Sequence, residues 1–383
     1  MKIAIDIRNI GKQRTGSEVV VLELTKRLLT LDRENDYLLL TDTDNSEVLA
    51  NIRRDLNLKD KKNFQLLSLK AKNKFVWSAW TMPKFFLKNK VDIFHTEYIL
   101  PLFIPKKTKV VTHIHDVSFK VYREFILKKD LIFLDILIPR SIKRSDKIIA
   151  VSRFTKDEIV KYYKIEPEKI EVVFNSINLE QETVSDEHRQ KIIEKYALPE
   201  KFILYLGTLQ PRKNIPTLIE AYAKIRSRIP EVKLVLAGNP QAHNFDQKIS
   251  EAVKRNNLEK EVFFIGYVDT PDKAIVYQAT EVFVFPSFYE GFGIPVLEAI
   301  SQEVAVLVSD IGPHREILGE GNFYFPPGEV DILADKLYTV CVNQDEQKRL
   351  SRAGLERVNL FSWEKSAQQM LNIFNSFNQK NSL

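Results

Sequence analysis

The 383-residue sequence holds one cysteine, Cys341, which excludes an internal disulfide, and no Cys/His cluster at zinc-ligand spacing. Both features suit a reducing cytoplasm better than a secreted scaffold. Long apolar runs are also missing. Residues 131–139, the most apolar stretch, fall short of the roughly 20 residues a membrane span needs and include Asp135. Met1-Lys2 leads directly into Ile3-Ala4-Ile5-Asp6-Ile7, without the apolar core or cleavage site of a signal peptide, so membrane association is expected to be peripheral, at the inner face of the cell membrane. The Gly-x-Gly-x-x-Gly fingerprint is absent too. The first loop has Gly11 and Gly16 around Lys12 and Arg14, followed by Ser17 and Glu18, which argues against a dinucleotide oxidoreductase.

What is present is length for two domains and an uneven charge. The net charge of +6 divides into +11 over residues 1–178 and −5 over the remainder. A basic half points to an anionic membrane surface, a phosphate-bearing acceptor or nucleic acid, or to a merely solvated lysine-rich surface. The aromatics follow core periodicity instead of alternating with Lys and Arg on exposed loops, so nucleic acid is not expected. Apolar runs at 3–7, 37–41, 91–95, 109–115, 147–152 and 170–174 read as strands separated by helical patterns. Residues 178–200 turn polar, and the strand–helix rhythm restarts at 202–207, 232–237, 262–265, 282–285 and 305–308. Two doubly wound α/β sheets follow, with a boundary at 178/179.

The most informative stretch is Glu290-Gly291-Phe292-Gly293-Ile294-Pro295-Val296-Leu297-Glu298, after the buried-strand run Val282-Phe283-Val284-Phe285. Pro295 suits a first helical turn, so the loop ends on a helix N-terminus whose glycines leave backbone N–H groups approachable by an anion or hydroxyl. Two carboxylates eight positions apart, pure acceptors when ionised, can serve different parts of one polyhydroxylated ligand. Arg212 and Lys213, after the strand ending at Gly207, can neutralise a diphosphate without a metal ion. The pair Asp42/Asp44 is read as a solvated loop. His113 and His115 share a strand face, but a third metal ligand is not evident. Residues 75–87 mix aromatics with lysines; a core helix with a basic outer face is favoured over an interfacial one.

The Glu-x7-Glu run with its internal Gly-Phe-Gly-Ile-Pro resembles the signature of the retaining glycosyltransferases of family 4. Gly207-Thr-Leu-Gln-Pro-Arg212-Lys213-Asn214 looks like their donor-phosphate segment, and Thr112-His-Ile-His115-Asp116-Val-Ser-Phe119 resembles their histidine segment. The resemblance implies a GT-B fold: an acceptor-binding Rossmann-like domain at 1–178, a nucleotide-sugar-binding one at 179–362 facing it across a cleft, and a helix at 363–383 returning to the first. It further implies that Glu298 holds the ribose and Glu290 the sugar, assisted by Gly291, Phe292, Gly293 and Ile294. Arg212 and Lys213 would hold the diphosphate with Gly16 and Gly207, and Gly266, Tyr267 and Val268 would line the base. His115 would contact sugar or acceptor, with His95 and Asp116 on the acceptor side. The expected reaction is metal-free hexosyl transfer, first from GDP-mannose and otherwise from a UDP- or dTDP-sugar, to a saccharide or lipid-linked acceptor in cell-surface polysaccharide synthesis. A sugar-nucleotide epimerase or hydrolase on the same fold, or a non-catalytic nucleotide- or nucleic-acid-binding protein, is the competing reading.

Overall fold

The computed structural model describes residues 1–12, 16–59, 61–178, 185–241, 244–321 and 323–379. The chain forms two compact units. Unit 1 comprises Met1–Val121, Lys128–Ser176 and Ser362–Leu383; unit 2 comprises Tyr122–Leu127 and Ile177–Phe361.

Unit 1 is built on seven parallel strands, β1 (Lys2–Asp6), β2 (Asp36–Thr41), β3 (Phe64–Ser68), β4 (Ile93–Glu97), β5 (Lys109–Ile114), β6 (Lys147–Ala150) and β7 (Ile170–Val172), in the order β3-β2-β1-β4-β5-β6-β7. Ile5 of β1 pairs with Leu39 of β2 on one side and His95 of β4 on the other. Ile3, Ala4, Ile5, Ile93 and Phe94 are wholly buried, as expected of parallel strands covered on both faces. β3 is a half-polar edge strand that carries no such signal. Helix Arg153–Tyr163 starts where expected, with the Ser152 hydroxyl accepting from the Thr155 N–H at 2.9 Å. The terminal helix Trp363–Gln379 belongs to this unit: the Ser366 hydroxyl donates to the Phe174 carbonyl at 2.6 Å.

Residues 74–88 are helical, with one side in the core. A π-helical turn, Trp77–Thr81, links two short α-helical pieces, and Pro83 sits in the first turn of the second, where it breaks nothing. Trp77, Met82, Phe85 and Phe86 join a core cluster with Leu38, Leu40, Phe94 and Val110. The outer side leaves Phe75, Trp80 and Leu87 exposed.

Unit 2 repeats the architecture with β8 (Lys201–Leu206), β9 (Val232–Ala237), β10 (Val262–Gly266), β11 (Val282–Phe285), β12 (Val306–Ser309) and β13 (Tyr324–Phe325), ordered β10-β9-β8-β11-β12-β13 and parallel throughout. In each sheet the strand order reverses once, between β1 and β4 and between β8 and β11. Such switch points leave a crevice beyond the strands' carboxyl ends, where open α/β sheets bind ligands.

Candidate active site

The loops that leave β8 and β11 meet at the switch point of unit 2. After β8 the chain passes Gly207 and enters a 3-10 turn, Pro211–Lys213, which Asn214 ends in the left-handed region at φ 55°. The Phe288 N–H donates to the Arg212 carbonyl at 2.9 Å, and the Asn214 amide donates to the Pro286 carbonyl at 3.1 Å. These bonds bring Arg212 and Lys213 onto the segment holding Glu290. Arg212 donates to the Tyr289 carbonyl at 3.0 Å and to Glu290 Oε2 at 3.1 Å, while Lys213 Nζ donates to Glu290 Oε1. Lys213 and Glu290 are both buried. Burial alone would push the Glu290 carboxyl up; the Lys213 and Arg212 charges outweigh it and bring its pKa down to about 2. Two cations therefore share one carboxylate. A diphosphate placed here would meet preorganised charge-assisted donors, of the kind that stabilise a departing nucleoside diphosphate.

The glycine loop is held from below. Gly293 has φ 123°, a conformation that favours glycine, and a Cβ there would also crowd Ile317 Cδ1 at 3.2 Å and His314 Cδ2 at 3.4 Å. The His314 Nδ1–H donates to the Ser309 carbonyl at 2.8 Å, and burial holds the ring neutral with a pKa lowered to about 4. Helix Ile294–Ser301 starts without a side-chain cap. Glu298 lies on that helix and is partly exposed; its oxygens accept from Lys273 Nζ at 2.8 Å and the Tyr277 hydroxyl at 2.9 Å. The structure thus separates the two glutamates: Glu290 is locked among cations, and Glu298 is held by a lysine and a phenol. Gly266, at φ 74°, leads to an exposed Tyr267 and a buried Val268 at the end of β10.

The switch point of unit 1 carries its own polar cluster. Asp6, at the end of β1, accepts from Arg8 Nη2 at 2.8 Å and from the Thr96 hydroxyl at 3.0 Å. Burial would raise the Asp6 carboxyl, but Arg8 and these hydrogen bonds pull it below its ordinary value. Glu97, at the end of β4, accepts from Asn9 and pairs with His115 Nε2. Asp6, Arg8, Asn9 and Glu97 line a cavity of about 980 Å³ in this unit, floored by Trp77, over which the Arg8 guanidinium stacks at 4.4 Å.

His115 lies in this cluster, but His95 does not border the cavity. It is 2% exposed, its ring packed against His113 and against Phe374 of the terminal helix. Asp116 turns back on its own chain, accepting from the Ser118 N–H and hydroxyl at 2.9 and 2.8 Å. Gly16 begins helix Gly16–Leu31, and Arg14 lies outside the described residues. Asp42 pairs with Lys12 and Asp44 with Lys70, consistent with a loop. Among the described residues no group of three or more His, Cys, Asp or Glu is arranged to hold a metal ion. Sequence reasoning gave no role to Glu97, Asp6, Arg8, Lys273 or Tyr277. The available signal was position at or just after a strand end for the first three and an i, i+4 helical spacing for the last two.

Two parallel doubly wound units, the second with paired cations and carboxylates at its switch point, have the architecture of the GT-B fold. Comparison with known proteins is more specific: the model described as glycosyl transferases group 1 matches residues 187–357, and the glycosyltransferase family 4 model matches 14–181. The chain belongs to the family 4, group 1 glycosyltransferases. It is 26% identical over 386 residues to O-antigen chain mannosyltransferase B of Escherichia coli, spanning 98% of this chain and 99% of that one. It is 30% identical over 257 residues to O-antigen chain mannosyltransferase RfbU of Salmonella typhimurium, covering 67% of each. Its fold superposes on sucrose-phosphate synthase from Thermosynechococcus elongatus with a TM-score of 0.76 and 20% identity over 99% of both chains. No helix among the described residues is long and apolar enough to cross a membrane.

Proposed function

We propose that the enzyme transfers mannose from GDP-mannose, with retention of configuration and without a metal ion, to a saccharide or lipid-linked acceptor of a cell-surface polysaccharide, working at the cytoplasmic face of the membrane. The observation that carries the reading is the meeting of Arg212, Lys213 and Glu290 at the unit 2 switch point, beside a glycine loop and Glu298. The two cations neutralise the donor diphosphate and the charge that develops as it leaves. Glu298 accepts from the ribose hydroxyls and Glu290 from the transferred sugar. The choice of mannose follows the names of the two O-antigen relatives. Glu290, tied to two cations, is ill suited to act as a covalent nucleophile, so attack on the same face as departure is the favoured course.

A thermal-shift screen of GDP-mannose, UDP-sugars and dTDP-sugars identifies the donor, because only a ligand of the folded state raises the melting temperature. Transfer of labelled sugar to a saccharide acceptor, with the product anomer read by NMR, then tests the reaction. Retention in the presence of EDTA is expected. Release of free sugar alone would indicate a hydrolase, and the absence of any sugar-nucleotide shift would overturn the reading.

A further inference from the structure

The contacts assigned to the nucleoside half of the donor come from two different elements. Gly266, Tyr267 and Val268 leave β10, and Glu298 stands on the helix after the glycine loop. One short stretch joins them. At Gly266 φ is 74°, and a Cβ there would meet no protein atom within 4 Å, so the backbone lies open to a ligand. From there the chain runs through a 3-10 turn, Thr270–Asp272, into helix Lys273–Gln278, whose Lys273 and Tyr277 hold Glu298. A shift of residues 267–273 therefore moves the base-lining residues and the partners of the ribose carboxylate together.

That stretch is gripped from the end of helix Asp186–Lys195, which the proposed reaction does not otherwise use. Tyr196, the C-cap, accepts from the Asp269 N–H at 3.1 Å and donates to Asp272 Oδ2 at 2.8 Å. Lys195 Nζ donates to Asp269 Oδ2 at 2.7 Å and to Asp272 Oδ2 at 2.6 Å. Tyr196 and Asp272 are 8% and 6% exposed. Burial would raise the Asp272 carboxyl, but the hydrogen bonds from Lys195 and Tyr196 bring it below its ordinary value. A phenol that donates to a buried carboxylate while accepting from a backbone N–H holds the loop at two points; the exposed Lys195–Asp269 pair, screened by water, adds less. The far end of the short helix is tied as well. Arg189 Nη2 donates to Gln278 Oε1 at 2.8 Å, and Gln278 Nε2 donates to Oε1 of Gln302, the C-cap of the helix that carries Glu298, at 2.8 Å.

We propose that Tyr196 and Asp272 are positioning residues for the nucleoside half of the donor: their bond fixes residues 267–273, so that base and ribose meet one preorganised unit. They act through the loop and not on the ligand. The role depends on the donor site proposed above, to which neither residue belongs.

Calorimetry with GDP, UDP and pyrophosphate, joined to saturation kinetics, separates this role from a merely structural one. Tyr196→Phe and Asp272→Asn should each weaken binding of the parent's nucleoside diphosphate by about tenfold and raise the donor KM alike, with turnover at saturating donor within about twofold. Pyrophosphate, which lacks the nucleoside, should bind both variants as it binds the parent. The double variant should lose little beyond the larger single loss, because both substitutions break the same contact. Tyr222→Phe is the control. Its hydroxyl donates to the carbonyl of Val232, the first residue of β9, at 2.8 Å, so this variant should lower the melting temperature and leave the donor KM unchanged. Variants that bind nucleoside diphosphate as the parent does, or that lose pyrophosphate in equal measure, would overturn the positioning role and leave the donor site standing. A parent that binds neither GDP nor UDP would overturn both.

Discussion

Lys213 and Glu290, far apart in sequence, form a buried ion pair in which Lys213 Nζ donates to Glu290 Oε1. Arg212 shares the same carboxylate, so the residue expected to face the sugar also fixes the two residues expected to face the diphosphate. Breaking a buried pair by removing one partner strands the other charge, and the consequences reach stability as well as catalysis.

Glu290→Gln should therefore be less stable than the parent in a pH-dependent way. Its folded pKa of about 2 is depressed from 4.5, so the carboxylate contributes stability fully above pH 4.5 and loses it as pH falls toward 2. A depression of that size corresponds to on the order of 3 kcal/mol at neutral pH. Urea unfolding of both proteins from pH 7 downward should show a gap that closes in acid. A constant gap would remove the ion pair as its origin. In the same variant Arg212 and Lys213 remain, so nucleoside diphosphate affinity should stay within a few-fold while turnover falls.

Glu298 should behave in the opposite sense. Its oxygens are held by Lys273 and Tyr277, on the helix side of the glycine loop, where a ribose rather than the transferred sugar would lie. Glu298→Gln should weaken nucleoside diphosphate binding by about 1.5–3 kcal/mol, the range for a hydrogen bond to a charged group, with turnover at saturating donor little changed. Lys273→Met should shift affinity in the same direction by less. Calorimetry and saturation kinetics on each variant check the division; a Glu298→Gln that lost only turnover would reverse the placement of the donor.

The buried histidines predict an acid limb in unit 1. Burial drops the His95 pKa from 6.5 to about 4 and that of His113 well below its ordinary value. Below pH 6.5 the unfolded chain binds protons that the folded one refuses, so stability present above that pH is lost as pH falls toward 4. Each such histidine contributes a slope of up to about 1.4 kcal/mol per pH unit. His113→Leu should flatten the slope between these pH values, whatever its effect at neutral pH. An unchanged slope would mean that the proton uptake lies elsewhere.

Much of the fold was legible because parallel strands buried on both faces read as unbroken apolar runs: 232–237 and 282–285 are matched by β9 and β11 at both ends. β3 escaped because Phe64-Gln-Leu-Leu-Ser68 is a half-polar edge strand. The Arg212, Lys213 and Glu290 positions were readable from strand ends and glycines, but their mutual pairing was not, since it spans 77 and 78 residues. Lys273 and Tyr277 were invisible for the same reason: nothing local marks a side chain whose partner is Glu298. The burial of His95 was not legible either, because position at a strand end does not say on which side of the sheet a ring falls, or that Phe374 of the terminal helix packs against it.

Arg212 and Lys213 are proposed to hold the donor diphosphate in place of a metal ion. Calorimetric titration of GDP into the parent, Arg212→Ala and Lys213→Ala, each in excess EDTA and after a melting check, tests it most directly. The parent should bind undiminished by the chelator, and each variant should lose a few kcal/mol of affinity, as expected for truncating one partner of a buried charge-assisted contact. Binding that vanishes in EDTA and returns with manganese or magnesium, or variants that bind GDP as the parent does, would contradict it.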